Sequence, residues 1–392
     1  MSIPDVVLLS AEGLLAESKS KTSLESFGSD DFREGFERFV ESINAQQAVP
    51  PELVGPLERY IVRLLMNRQW FAKDLEVHPE IRDEELLPAV AIVALPRTGT
   101  SKLQRILGST DSFQNLLFWH VHMFARIPGA VNGGKAERLE ETKAYERWIL
   151  HMVPDFMQGH PMHAEETEEE INLTDFTFRA PQLGIRFGAI EYLQWAATTD
   201  ITPTYDYLKL QLQYLQWQLF REHPKPWLLK SPMHLGYEHQ LLRLFPQGIK
   251  FICPHRSPAQ LIASVARTTE LFQQCHLGRI ERDITLGPMV LQAFAAELHA
   301  HMAWRDQNPT VPILDIGFEE LSTNSLATAA KVHDFLDLTL SDDAKTQIAE
   351  WDRHNPRNQH GENIATLEMY GLTEEMVDAQ FRAYSDRFSD FF

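Results

Sequence analysis

The rhythm of apolar and polar positions changes near residue 87, and that change organises the chain. Before it, apolar residues recur at helical spacing. Phe32, Phe36 and Phe39 follow Ser29, Asp30 and Asp31, which supply capping oxygens, and Leu57, Ile61, Leu64 and Leu65 mark a second amphipathic stretch. Residues 1–86 therefore read as an α-helical N-terminal extension whose apolar faces are packing surface. From Ala89 to Leu95 the pattern becomes a short apolar run with no polar alternation, as expected of a strand covered on both faces. Similar runs occupy Trp227–Leu229, Ile249–Cys253 and Val311–Ile316. Helical patterns precede each: Leu208, Leu212, Leu215 and Leu219 share one face, another helix ends near Phe245-Pro246, and a third covers Met289–Trp304. Strands alternating with helices predict an α/β domain over 87–392, with a central parallel β-sheet flanked by helices. The 110–200 and 268–288 stretches are less regular and are where a substrate pocket could be built.

Composition sharpens this picture. A chain of 392 residues with 44% hydrophobic content can bury a large core. Its 36 Lys and Arg against 55 Asp and Glu leave a formal net charge of −19, a field that repels polyanions. Nucleic acid or a sulfated polysaccharide is therefore excluded as the expected partner, although a local basic pocket for a small anion is not. Cys253 and Cys275 form neither a metal-type spacing nor a disulfide framework, which fits a reducing compartment. The N-terminus has no basic leader, acidic residues interrupt its apolar positions, and no run is long enough to span a bilayer. The expectation is a cytoplasmic protein with no membrane span.

The segment LPRTGTSKL, after the first strand, carries the strongest chemical signal. A turn at Pro96-Arg97-Thr98-Gly99 leading into a helix at Thr100 would aim backbone N–H groups and the positive end of a helix dipole at one spot. Thr98, Thr100 and Ser101 add hydroxyls, and Gly99 lets the backbone approach an oxyanion, so the fold is P-loop-like. The loop departs from the nucleotide-triphosphate pattern G-x-x-x-x-G-K-[ST]: Ala94 stands at the first Gly, Thr100 replaces the Lys, and the cation is Arg97. A ligand with one phosphate and a transferable anionic group, without obligatory Mg²⁺, suits this better than ATP. After the third strand, CPHRSPAQLIASVARTTEL places Arg256 in a turn and Ser264 eight residues on. At helical rise the two lie about 12 Å apart along the axis, and an Arg folded back could grip one phosphate with the serine.

Together these segments resemble the PAPS-dependent sulfotransferases, in a bacterial branch with a helical N-terminal extension. WLLKSPMHL (227–235), FPQGIKFICPHRSP (245–258) and QHGENIATLEMYGL (359–372) extend the likeness over most of the chain, with Ala365 standing where an aromatic residue is expected. The resemblance implies transfer of a sulfonate group from 3′-phosphoadenosine 5′-phosphosulfate (PAPS), with adenosine 3′,5′-bisphosphate as product. Arg97, Thr98, Gly99, Thr100 and Ser101 would hold the 5′-phosphosulfate, and Arg256 and Ser264 the 3′-phosphate. The C-terminal stretch would help close the cofactor site.

Sulfonate transfer needs a base for the acceptor and positive partners for the developing charge. Arg97 and Lys230 are the candidate cations, Arg97 acting electrostatically because a guanidinium does not give up its proton. His120, in Phe118-Trp119-His120 where relatives often carry Glu, is one candidate base, with an unperturbed pKa of about 6.5. Glu165 is the other, in HPMHAEETEEEINL with His163, Glu166 and Glu169, a charge run of the kind that usually forms a solvated helix face. His234, one turn beyond Lys230, is a third. His160-x-x-His163-x-Glu165 lacks the further ligand a zinc site would need, so no metal is expected. Frequent aromatic residues in the variable stretches suit a small or lipid-like acceptor bearing a hydroxyl or amine, and core packing explains them equally well. Two alternatives stand beside this reading: a P-loop kinase or NTPase, which leaves Thr100 and Arg256 unexplained, and a non-catalytic nucleotide-binding interaction module.

Overall fold

Helix formation in the first third follows the apolar periodicity. The computed structural model describes residues 8–45, 49–278, 282–356, 359, 361 and 364–392. Helix α1 (Ala11–Thr22) is capped by Ser10, whose hydroxyl accepts from the Gly13 N–H at 3.1 Å. Helix α2 (Arg33–Ala45) buries Phe36 and Phe39 completely, and α3 (Pro51–Val77) buries Leu57, Ile61, Leu64 and Leu65. These helices are not set apart from the rest of the chain. Phe32, Phe36 and Phe39 pack edge-on or tilted against Phe178, and Arg68 donates to the Phe176 carbonyl at 2.8 Å. One continuous apolar core joins α2 and α3 to the sheet.

Strand β1 (Ala89–Ile92) runs into α4 (Thr100–Gly108), followed by the short α5 (Phe118–His122) and by α6 (Lys135–Met152). Helix α7 (Thr202–Leu215) leads through a wider turn at 216–220 to β2 (Trp227–Lys230). Then come β3 (Ile249–His255), α8 (Pro258–Leu277), α9 (Leu286–Gln307), β4 (Ile313–Gly317) and, near the C-terminus, α10 (Glu374–Phe388). The four strands form a parallel sheet in the order β2-β1-β3-β4. Alternate residues of β1 feed two cores: Ala89 and Ala91 face the large core with the N-terminal helices, whereas Val90 and Ile92 face a smaller one under α4. That two-sided burial is why the run has no polar alternation.

Two strand boundaries fall inside the expected runs. The first strand ends at Ile92 rather than Leu95, although the Val93 N–H still donates to the Ile252 carbonyl at 2.9 Å. The fourth begins at Ile313 rather than Val311, because Pro312 has no N–H and contributes only its carbonyl, which accepts from Phe251. Among the described residues no helix is long and apolar enough to cross a membrane.

Chain order places the sheet's crevice. From central β1 the chain moves to β2 on one side, then returns to β3 on the other, so the carboxyl ends of β1 and β3 flank a topological switch point. The loops that carry Arg97 and Arg256 leave these two carboxyl ends.

The docking of α2 is tested at a glycine. A Cβ on Gly35 would lie 1.8 Å from the Phe178 carbonyl oxygen, whereas one on Gly55 in α3 would meet only the Arg59 side chain at 3.5 Å. Gly35→Ala should destabilise the fold by at least the ~1–3 kcal/mol of ordinary overpacking, read as a lower urea midpoint. Gly55→Ala should be neutral or stabilising by up to about 1 kcal/mol. Equal midpoints for the two variants would contradict this docking.

Candidate functional site

The turn after β1 has an unusual backbone. Arg97 sits at φ 70° and Gly99 at φ 90°. Glycine adopts such a conformation freely, but for an arginine it costs energy that surrounding contacts must offset. Those contacts are present. Arg97 donates through Nη1 to the Gly159 carbonyl at 2.7 Å and through Nε to the Ser264 hydroxyl at 3.0 Å. Its own carbonyl accepts from Arg256 Nη1 at 3.0 Å. Gly99 is also sterically required, since a Cβ there would approach Leu321 to 2.7 Å.

Above this turn lies a cleft of about 590 Å³. Arg97, Gly99, Thr100, Ser101, Arg256 and Ser264 all line it, so the loop after β1 and the loop after β3 meet there as expected. Thr98 does not: it is fully buried, and its hydroxyl donates to the Leu95 carbonyl at 2.7 Å, closing the turn instead. Lys102 and Arg105 add further cations, and no Asp or Glu lines the cleft among the described residues. Arg97 and Arg256 repel one another: burial first, then the Arg256 charge, lowers the Arg97 pKa from its ordinary value. A bound anion would relieve that repulsion.

Aromatic and tail residues complete the cleft. Arg256 stacks its guanidinium 4.1 Å from the centre of the Phe318 ring, just after β4. Trp351 forms another wall, as do Gln359, Gly361, Ile364 and Ala365 of the C-terminal stretch. His360, Glu362 and Asn363 of that motif lie outside the described residues. Neither Phe318 nor Trp351 stands in a recognisable motif; each reaches the cleft from a separate element.

Behind the turn is a second, inner cavity of about 210 Å³ that shares Arg97, Thr100, Ser101 and His160 with the cleft. Lys230, at the end of β2, is almost fully buried at its boundary. Its ammonium donates to Ser101 Oγ at 3.1 Å and forms an ion pair with Glu169. Glu170 anchors the strand end, accepting from the Lys230 N–H at 2.9 Å and bonding His234 Nε2 at 2.7 Å. His234 in turn bonds the Tyr205 hydroxyl at 2.9 Å, so it supports Lys230 from behind and does not face the cavity.

The run of glutamates departs from a solvated helix face. Residues 164–168 run alongside 116–119 through backbone hydrogen bonds, with Leu117 and Thr167 paired antiparallel. Glu168, Glu169 and Glu170 are therefore all buried. Glu165 remains outside, exposed and paired with Lys143 at 2.6 Å, and it lines neither cavity. His163 pairs with Glu146 at 2.9 Å, so the 160–165 spacing converges on no common point.

His120 is placed elsewhere as well. Its Nδ1 accepts from the Leu117 N–H at 3.1 Å, capping α5, and it lines neither cavity. Burial, reinforced by Arg138 and Lys135, pushes its pKa down to about 3. The histidine that does stand between cleft and cavity is His160. Burial holds it down to about 3 against the pull of Glu169, with Lys230, Arg105 and Arg97 adding to the depression. A separate group, Cys253, His255 and Asp315, is closed by its own bonds: His255 to Asp315 at 2.8 Å, and Asp315 twice to Arg305.

Comparison with known proteins bears on family and fold. The model of a sulfotransferase family matches residues 88–342. The crystal structure of sulfotransferase STF9 from Mycobacterium avium superposes with a TM-score of 0.82 at 22% identity, over 99% of this chain and 98% of that one. Sulfotransferase STF1 from Mycobacterium tuberculosis H37Rv gives 0.75 at 22% identity, over 97% and 100%. A search of the curated proteins gave no significant match.

The depressed histidines set a pH dependence. In the unfolded chain their pKa returns to about 6.5, so below that pH the unfolded state binds protons that the folded state does not. Their contribution to stability is complete above about pH 6.5 and is lost as pH falls towards 3. Each should steepen the acid decline by up to about 1.4 kcal/mol per pH unit. His120→Gln should flatten it. An imidazole resonance for His120 titrating near 6.5 would place that ring in solvent and overturn the assignment.

Proposed function

Since the chain belongs to a sulfotransferase family, we propose that it transfers a sulfonate group from PAPS to a hydroxyl-bearing small molecule, with the cleft holding the donor and the inner cavity the acceptor. One observation carries the reading. In a chain of net charge −19, the cleft of about 590 Å³ at the carboxyl ends of the strands is lined by Arg97, Lys102, Arg105 and Arg256 and by no described carboxylate. A polyanionic nucleotide fits such a surface, and a second anion contact at Arg256 and Ser264 matches its 3′-phosphate. Phe318 and Trp351 supply flat faces suited to a base. When bound, PAPS supplies the sulfonate group and departs as adenosine 3′,5′-bisphosphate.

The chain's own residues then divide the work. The Thr100 and Ser101 hydroxyls and the α4 N-terminus orient the anionic group at the boundary between cleft and cavity. Arg97 and Lys230 line that boundary and neutralise the charge that develops during transfer. Glu169 is assigned as the group that takes the acceptor proton. It lines the acceptor cavity beside Lys230, whereas His120 and Glu165 line neither space. His160, neutral and held at about 3, is a poor proton acceptor at pH 7 and serves to position the acceptor.

Calorimetric titration with adenosine 3′,5′-bisphosphate, beside ATP with Mg²⁺, tests the donor assignment. Micromolar binding of the bisphosphate alone, weakened at least tenfold in Arg256→Ala, is the expected result. Absence of binding by folded protein would remove the proposal, and preference for Mg²⁺-ATP would favour a kinase. For turnover on a panel of phenols and alcohols, Arg97→Ala and Glu169→Gln should lower kcat by about 10²–10⁴-fold while keeping bisphosphate affinity within a few-fold. Full activity in Glu169→Gln combined with loss in Glu168→Gln would move the base by one residue.

A further inference from the structure

The inner cavity does not end at Glu168. It shares His160, Glu168, Asn172, Arg186 and Phe272 with a narrow neck of about 30 Å³. The neck shares Tyr60, Arg63, His122 and Tyr145 with an outer chamber of about 220 Å³ between α3 and α6. Three adjoining spaces thus lead from the transfer site to the far side of the N-terminal helices. The inner cavity and the outer chamber each fall below the ~300 Å³ at which ligand pockets begin, and joined they reach that range.

Two polar atoms make this more than a packing defect. Arg63 Nε and His122 Nε2 are buried without a hydrogen-bond partner, on side chains only 8% and 4% exposed. Both residues line the neck and the outer chamber. Arg63 Nε is a donor, and His122 Nε2 is a donor or an acceptor according to its tautomer; buried polar atoms of either kind are normally satisfied by a partner. The Asp175 carboxylate is already held by Arg186 and the Tyr60 hydroxyl, so it does not serve Arg63 Nε. The missing partner of Arg63 is therefore an oxygen that accepts its N–H. Around it the walls are flat rings: the His122 ring stacks on Tyr145 at 4.6 Å, Tyr145 on Trp148 at 5.8 Å, and His276 closes the chamber.

We propose that the acceptor is an elongated aromatic alcohol that occupies all three spaces. Its hydroxyl lies at Glu169 and Lys230, a narrow segment carrying an oxygen that accepts from Arg63 crosses the neck beside His122, and a second ring fills the chamber beside Tyr145 and Trp148. This rests on the sulfotransferase reading for the role of the inner end, and on the unpaired Arg63 N–H and the ring walls for the outer end.

4-Hydroxybenzophenone has this shape, and its ketone cross-links on irradiation, so it serves as a probe whether or not it is turned over. Irradiation with the full-length protein and adenosine 3′,5′-bisphosphate should label peptides of 56–63 or 141–148 saturably. Ala144→Phe, which fills the chamber mouth away from the transfer residues, should reduce that labelling at least tenfold and raise the KM for the probe about tenfold. The same variant should leave bisphosphate affinity and the KM for phenol unchanged. Labelling confined to peptides that line only the inner cavity, 230–232 or 265–269, or labelling that does not saturate, would overturn the proposal. Saturable chamber labelling in a protein that fails to bind the bisphosphate would keep the chamber as a ligand site while removing the donor assignment.

Discussion

The left-handed backbone at Arg97 is the constraint on which the site depends. A non-glycine residue at φ 70° persists only where its surroundings hold it, and here three elements do so: the Gly159 carbonyl, the Ser264 hydroxyl on α8, and Arg256 after β3. That conformation turns the guanidinium across the boundary between the large cleft and the inner cavity. It also ties the loops after β1 and β3 into one unit. An anion that binds Arg256 would therefore act on the same structure that presents Arg97 to the inner cavity.

The second organising feature is the set of three consecutive buried glutamates. Each has a separate task because the segment is extended rather than helical, so successive side chains diverge. Glu168 faces the neck near Arg105 and His160, Glu169 pairs with Lys230 at the cavity wall, and Glu170 fixes the end of β2 with His234. Burying three carboxylates is costly unless each is compensated, and cations or hydrogen-bond donors stand opposite all three. The arrangement keeps positive and negative groups close together at the point where a proton and a sulfonate would exchange.

Helix α3 lines a cavity as well as the core. It contributes Tyr60 and Arg63 to the outer chamber, while its apolar face merges with the core beneath the sheet. A segment that reads as packing surface also forms a cavity wall.

Much of the architecture was determined by local pattern. Unbroken apolar runs identified all four strands because both faces of the sheet are covered, and helical spacing identified α2, α3, α7 and α9. The meeting of the turn at 96–99 with Arg256 and Ser264 around one cleft was legible because a loop that follows a parallel strand leaves at the sheet's carboxyl edge. Tertiary structure alone decided the rest. His120 and Glu165 look suitable in sequence, yet one caps α5 and the other pairs with Lys143 outside the site. Thr98 turned inward for the same kind of reason, its hydroxyl spent on closing the turn. Phe318, Trp351, Glu169 and Arg63 come from distant elements with no common motif, and only packing brings them together. A spacing rule reports on residues within one turn or strand; which face meets a cavity is settled by the neighbours that cover the others.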